Sequence, residues 1–314
     1  MRNLGFLFFV FVLFCSFAHA EKYIFKIPDP RGDDHGDGTI LYPTESDFRP
    51  GDLDLTSFSA REKDGGTMFE AEFASSIKRP DSRVIDAGGR TLQSVARLGF
   101  YLFNIDIYID MDRKEGSGYT STLPGRNAQI SSAHAWEKVV FLTPRPNDAR
   151  SQLRKIIHKA AEEKIRKEKG RVDPEDETQI NAGIALDLDG RYFMPTRVQI
   201  AGRRVSFFVP PYFLRGPAQG DWSYVVVVTA ATIEDKIDLG DIGILGPRAG
   251  LLNLMVDQGA YSDRLGTTRS EVGLLPPILD IIVPDGIKQE DILRNFNVNE
   301  KKPVILPGVI PSPK

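Results

Sequence analysis

Along most of the chain, short stretches of alternating or β-branched residues recur between Gly, Pro and Asp punctuation, the pattern of half-buried strands. Residues 67–73 alternate between apolar and polar. Stretches 103–109, 138–143, 198–200, 205–209 and 222–229 are rich in Val, Ile, Phe and Tyr. Tyr224-Val225-Val226-Val227-Val228 is apolar at every position, as befits a central strand covered on both faces. Gly65-Gly66, Gly88-Gly89 and Gly202-Arg203 stand where hairpin turns are required. Many short strands without a βαβ rhythm predict an all-β fold, a two-sheet antiparallel β-sandwich of the jelly-roll-like kind.

One segment departs from this rhythm. Pro146-Asn147 reads as a helix start with Asn147 as N-cap. Leu153, Ile156, Ile157, Ala160, Ala161 and Ile165 then fall at helical spacing, and Gly170 ends the run. This predicts an inserted charged helix over 147–170, with its apolar stripe on the sandwich and its Lys, Arg and Glu in solvent. Residues 171–179 read as a surface loop, and Asp187-Leu188-Asp189-Gly190 as a plain turn. A short C-terminal helix is predicted over 289–296. Segment 301–314 holds four prolines and reads as an extended tail without packing of its own.

The N-terminus adds a location. Met1-Arg2-Asn3, an apolar run over 4–17, and Ala18-His19-Ala20 have the form of an export signal cleaved after residue 20. The run is too short to span a bilayer, which takes about 20 residues. The expected layout is a signal over 1–20, a sandwich domain over 21–300 and the tail. The expected location is periplasmic, or secreted to the cell surface, with no transmembrane segment after cleavage. Cleavage also removes Cys15, the only cysteine, so no disulfide or thiolate chemistry is expected.

Charge and motif then narrow the chemistry. Forty Lys and Arg against 43 Asp and Glu give a net charge of −3 in 314 residues, which offers no basic surface for nucleic acid. The remaining His35, His134 and His158 lie far apart and form no zinc spacing. The P-loop, Gly-x-Ser-x-Gly and Gly-x-Gly-x-x-Gly patterns are absent, and residues 240–246 have the wrong glycine spacing for the last. No catalytic residue is assigned. A glycoside hydrolase, which needs two carboxylates across a cleft, stays open as an alternative function. A haem protein using His35, Met68, His134 or Met194 is a further one.

The most informative stretch is acidic. Asp29, Asp33, Asp34, Asp37, Asp52 and Asp54 lie close together, with Gly32, Gly36 and Gly38 free to turn tightly among them. Such carboxylates repel one another unless a cation sits among them, and an all-oxygen donor set favours a hard one. Calcium is therefore the expected cofactor. Asp110-Met111-Asp112 before Gly116-Ser117-Gly118 is a candidate second metal loop.

These residues also resemble a known family. Asp29-Pro-Arg-Gly-Asp-Asp-His-Gly-Asp-Gly is followed by Tyr42-Pro43 and Phe48-Arg-Pro-Gly-Asp-Leu-Asp-Leu. Then come Ile107-Tyr108-Ile109-Asp110, Leu123-Pro124-Gly125-Arg126-Asn127 and Ala135-Trp136-Glu137. Phe208-Val209-Pro210, the Trp222 strand and Pro277-Ile-Leu-Asp280-Ile-Ile-Val-Pro284 close the series. In order and spacing, over about 25–296, this resembles the C-terminal domain of glucodextranase, also appended to bacterial and archaeal amylopullulanases. The resemblance implies a sandwich related to family 9 carbohydrate-binding modules, some of which hold structural calcium. It further implies a polysaccharide or cell-envelope ligand and a glycoside hydrolase as usual carrier. Two departures stand out. Here the module is expected to stand alone behind its export signal, and the helix over 147–169 looks like an insertion. The expected function is a non-catalytic, exported binding protein, or an accessory subunit of a hydrolase. Trp136, Tyr119 and Tyr212 are its candidate glycan contacts, with Trp222 and Tyr192 behind them.

Overall fold

The computed structural model describes residues 22–44, 47–233 and 250–311. The predicted export signal with Cys15, and the glycines at 240–246, lie outside the described residues. The chain opens on β1 (Tyr23–Pro28), crosses the acidic segment with β2 (Ile40–Leu41), and forms a long hairpin from β3 (Leu55–Lys63) and β4 (Gly66–Phe73). After α1 (Leu92–Val95) come β5 (Phe103–Asp110), β6 (Ala128–Ile130) and β7 (Lys138–Leu142). Two long helices follow, α2 (Pro146–Lys169) and α3 (Pro174–Arg191). Next are β8 (Tyr192–Phe193), the hairpin β9 (Val198–Ala201) and β10 (Arg204–Val209), the single turn α4 (Pro211–Leu214) and β11 (Ser223–Ala230). The last elements are β12 (Val256–Gln258), β13 (Leu265–Thr267), β14 (Asp280–Ile281), α5 (Gln289–Leu293) and β15 (Val304–Leu306).

Two five-stranded sheets face each other, one ordered β1-β3-β4-β10-β9 and the other β14-β11-β5-β7-β8. All their pairings are antiparallel except β7 with β8. The core between them is aromatic. Phe25, Phe58, Phe69 and Phe207 from the first sheet meet Phe103, Ile107 and Tyr224 from the second, all buried. Each such side chain contributes about 1.5–3 kcal/mol of hydrophobic burial. Strand β11 is apolar on both faces because both are covered. Tyr224, Val226 and Val228 point into this core, while Val225 and Val227 join a second cluster on the outer face.

That second cluster lies beneath the helices, and here the helical segment differs from expectation. It is a hairpin of two helices, not one. Residues 171–179, expected as a loop, hold the start of α3, and the expected turn at Asp187-Gly190 is its last full turn. The physical cause is local. Asp173 accepts from the amides of Glu175 and Asp176 at 3.0 Å each, and Pro174 occupies the first helical position. Ile180, Ile184 and Leu188 then repeat every four residues and bury against Leu153 of α2 and Phe141 of β7. Helix α2 also begins one residue early, with Arg145 as N-cap and Pro146 inside the helix, so Asn147 does not cap it. Ile156 is 39 % exposed, and the buried stripe runs instead through Ala149, Leu153, Ile157, Ala161 and Ile165. His158 bonds Glu177 at 2.9 Å and Lys169 pairs with Asp176 at 2.6 Å, tying basic α2 to acidic α3.

The C-terminal segment is packed rather than free. β15 pairs in parallel with β6, Val304 and Leu306 are fully buried, and Val309 bridges to Tyr224 of β11. Val304 and Leu306 join the second cluster while Ile305 between them faces outward, and Val309 packs on the inter-sheet core, which outweighs the extending effect of the prolines.

Candidate metal centre

The six aspartates of the N-terminal segment divide into two groups. Asp34 accepts from the Tyr42 hydroxyl and the Gly51 amide, both at 2.6 Å. Asp37 accepts from the amide and hydroxyl of Thr39 at 2.9 and 2.6 Å and forms an ion pair with Arg269 at 2.6 Å. Asp52 accepts from the Arg49 amide at 2.9 Å and pairs with Lys78 at 2.6 Å. These three hold the loop to itself and to its neighbours.

Asp29, Asp33 and Asp54 behave otherwise. Asp54 takes the Gly32 amide on one oxygen at 2.8 Å, yet its Oδ1 is buried without a partner. Asp29 Oδ2 and Asp33 Oδ1 are likewise buried and unpartnered. A fourth carboxylate joins them from far along the chain. Asp280, fully buried at the start of β14, accepts from the Leu55 amide at 2.6 Å and leaves Oδ1 without a donor. Ligand oxygens of Asp33, Asp54 and Asp280 all lie within 4.8 Å of one another.

Local structure explains how they meet. Gly36 adopts φ +61°, and a Cβ there would lie 2.5 Å from the carbonyl of Ile278, so only glycine lets the loop close on the strand entry. The Gly36 amide donates to Leu279 O at 2.9 Å. Gln289 of α5, 1 % exposed, accepts from the Ile281 amide at 2.9 Å and donates to the carbonyls of Asp33 and Leu279. Asp280 itself is fixed by the pairing of β14 with β11 opposite Val228.

The electrostatics follow from this burial. Desolvation, then the charges of Asp33 and Asp54, push Asp29 up to about 8. Desolvation, with Asp54 and Glu290 adding to it, raises Asp33 to about 6. Burial also raises Asp54, and raises Asp280 well above the ordinary carboxylate range, with Asp29 beside it. Asp33, Asp54 and Asp280, with Asp29 against Asp33 and Asp280, form an all-oxygen set of a kind that suits a hard divalent cation. Asp280 was absent from the sequence expectation. Its signal was a single carboxylate inside the apolar run of residues 278–283, where an unpaired charge is costly.

The second acidic loop also brings carboxylate oxygens of Asp110, Asp112 and Glu137 within 4.8 Å of one another, but it leaves fewer of them without donors. Asp110 accepts from the Arg113 amide at 2.7 Å, and Asp112 from the Lys114 amide and Ser117 hydroxyl at 2.9 and 3.0 Å. Glu137, unforeseen from sequence, accepts from the Met111 amide at 2.7 Å and keeps one buried oxygen, Oε1, unpartnered. Most of these oxygens serve the loop's own turn.

The aromatic candidates separate as well. Trp136 is 2 % exposed, donates to Ser121 O at 2.8 Å, and packs among Tyr108, Tyr119 and Tyr192. Arg191 covers the Tyr119 ring at 4.3 Å from its centroid. Tyr192 is mostly buried in that group, and Trp222 packs against the inter-sheet core. Tyr212, 77 % exposed on α4, presents an open ring. His35, Met68, His134 and Met194, weighed for haem, sit on separate elements. Met68 lies in β4 and Met194 in the cluster under the helices. Ser223 Oγ and His134 Nδ1 lie 2.9 Å apart, but Ser223 is 1 % exposed and a Cβ on Gly308 would come within 2.2 Å of its hydroxyl. A substrate has no path to that oxygen.

The fold is thus a two-sheet β-sandwich with a cluster of buried carboxylates where the N-terminal loop meets β14. A family model described as the SLH-like C-terminal binding module of glucodextranase matches residues 24–308, and the chain belongs to this family. No curated protein matches the chain. Among the described residues no helix is long and apolar enough to cross a membrane.

Proposed function

We propose that this protein is an exported, non-catalytic carbohydrate-binding domain whose acidic loop is locked to the sandwich by calcium. Four buried carboxylate oxygens without donors, on Asp29, Asp33, Asp54 and Asp280, carry the metal half of this reading. Those residues would hold the ion, and its charge would replace the missing donors and bind the loop to β14. Membership of a binding-module family of a glucan-degrading enzyme supports a polysaccharide as ligand, at the cell surface or elsewhere in the envelope. A glycoside hydrolase is the companion this reading assigns to it.

The test is thermal melting with EDTA and with millimolar calcium, followed by affinity electrophoresis in calcium through gels containing dextran, pullulan or xylan. Calcium at 100 times its dissociation constant stabilises by about 2.7 kcal/mol, a rise of about 4–5 °C for a domain of this size. Retardation by at least one polysaccharide is expected. Identical melting in both buffers would overturn the metal half, and free migration in every gel the carbohydrate half.

A further inference from the structure

The loop that supplies three of the four carboxylates also walls a cleft. This cavity, about 330 Å³, lies at the end of the sandwich where β5 begins and β11 ends. Its floor is apolar, formed by Phe48, Leu102, Ile233 and Leu254. Its polar groups are held in one arrangement. Arg83 donates to both carboxylate oxygens of Asp47, at 3.0 Å through Nη1 and again through Nη2. The Tyr101 hydroxyl donates to Asp47 Oδ2 at 2.7 Å, and the Arg83 guanidinium lies over the Tyr101 ring, 5.8 Å from its centroid. Those bonds hold the Asp47 carboxyl below its ordinary range, so it stays an acceptor.

The chemistry of the lining selects a class of ligand. Asp47 and Asp263 against Arg83 leave no excess of positive charge for an anion. The volume is at the small end of ligand pockets, enough for one or two rings. A sugar ring has apolar C–H faces and a rim of hydroxyls that both donate and accept, matching an apolar floor beside a fixed carboxylate and guanidinium. The wall is also pre-organised, which lowers the entropy cost of binding. Lys78 donates to Asp47 O and, at 2.6 Å, to Asp52 Oδ2. The Phe48 ring sits 6.3 Å from that of Tyr42, whose hydroxyl is bound to Asp34.

We infer that this cleft is the glycan subsite of the domain, taking one or two rings of a neutral polysaccharide with Asp47 and Arg83 on its hydroxyls and the apolar floor against a ring face. The inference rests on the carbohydrate-binding reading above. It locates the sugar away from the buried Trp136.

Two variants test it. Arg83→Met removes the guanidinium from a side chain 43 % exposed, where loss of an ion pair costs the fold little. Val84→Arg places a long charged chain on a rim residue 64 % exposed and obstructs the mouth. Each is first melted with and without calcium to establish that it folds and keeps the wild-type shift. Both then enter the gels containing the polysaccharide that retards the wild type. At least tenfold weaker binding is expected of each. Wild-type retardation of both variants overturns this subsite and leaves the carbohydrate reading intact. A wild type that no polysaccharide retards overturns both. If Arg83→Met fails to fold, Val84→Arg decides alone.

Discussion

Two acidic, glycine-rich loops in one chain reach different ends. The first gathers Asp29, Asp33, Asp54 and Asp280 from separate segments, and each arrives with a buried oxygen that no N–H, hydroxyl or cationic group of the described residues reaches. The second brings together Asp110, Asp112 and Glu137, and the amides of Met111, Arg113 and Lys114 take up an oxygen of each. Burying a carboxylate without donors costs several kcal/mol, which a proton or a cation can offset; the first arrangement is the one proposed to hold a cation, and the second largely supplies its own donors. What separates a metal site from an acidic turn is therefore where the neighbouring N–H groups point, not how many acids the loop contains.

Asp280→Asn gives the sharpest test of that contrast. Asparagine keeps the shape and one oxygen for the Leu55 amide, and removes the charge from the most deeply buried member. The gain in melting temperature from calcium should fall from about 4–5 °C to near zero. In EDTA the variant should melt at the wild-type temperature or above it, because repulsion from Asp29 is relieved. Differential scanning calorimetry in both buffers reads this directly. A full calcium gain in the variant would remove Asp280 from the site.

pH sharpens the comparison next. Asp29 at about 8 and Asp33 at about 6 both lie above the ordinary 3.8 in the folded state. The folded metal-free chain thus binds more protons than the unfolded chain between about pH 4 and pH 8. Their contribution to stability is complete below 3.8 and declines as pH rises through that window. Calcium needs the deprotonated ligands, so its contribution grows through the same window. Melting temperatures with EDTA and with calcium should converge near pH 4 and separate towards pH 8. Parallel curves across that range would count against the site.

Most of the sandwich was legible because period-two patterning survives in single strands. Residues 67–73, 103–109 and 205–209 fall on β4, β5 and β10 within a residue or two. Helix α3 was obscured by Gly183 and Gly190, although the Asp173-Pro174 start carried a capping signal that outweighs them. Burial of the C-terminal segment was invisible, since pairing with β6 joins residues far apart in the chain. The acidic loop drew attention to the right region, but not to which of its acids face one another. Asp34, Asp37 and Asp52 look no different in sequence from Asp33 and Asp54. Their roles diverge only through Tyr42, Arg269 and Lys78, which the fold delivers. Asp280 lies more than 220 residues beyond the loop and belongs to the cluster only because β14 pairs with β11.

The smallest predicted effect tests the other side of the contrast. Glu137 Oε2 accepts from the Met111 amide at 2.7 Å, and Oε1 is the one buried oxygen of the second loop without a partner. Glu137→Gln keeps an acceptor for that amide and replaces the orphan oxygen by an amino group. If the loop is a self-satisfied turn, stability should change by no more than about 0.5 kcal/mol, as for most partly exposed substitutions. The calcium gain should stay at its wild-type value. Burial, more than the charges of Asp112 and Asp110, raises Glu137 above its ordinary range, so the neutral side chain is also slightly favoured as pH rises. A loss of calcium gain comparable to that of Asp280→Asn would place an ion at the second loop too. One orphan oxygen would then suffice to mark a site, and the distinction between the loops would be one of affinity rather than kind.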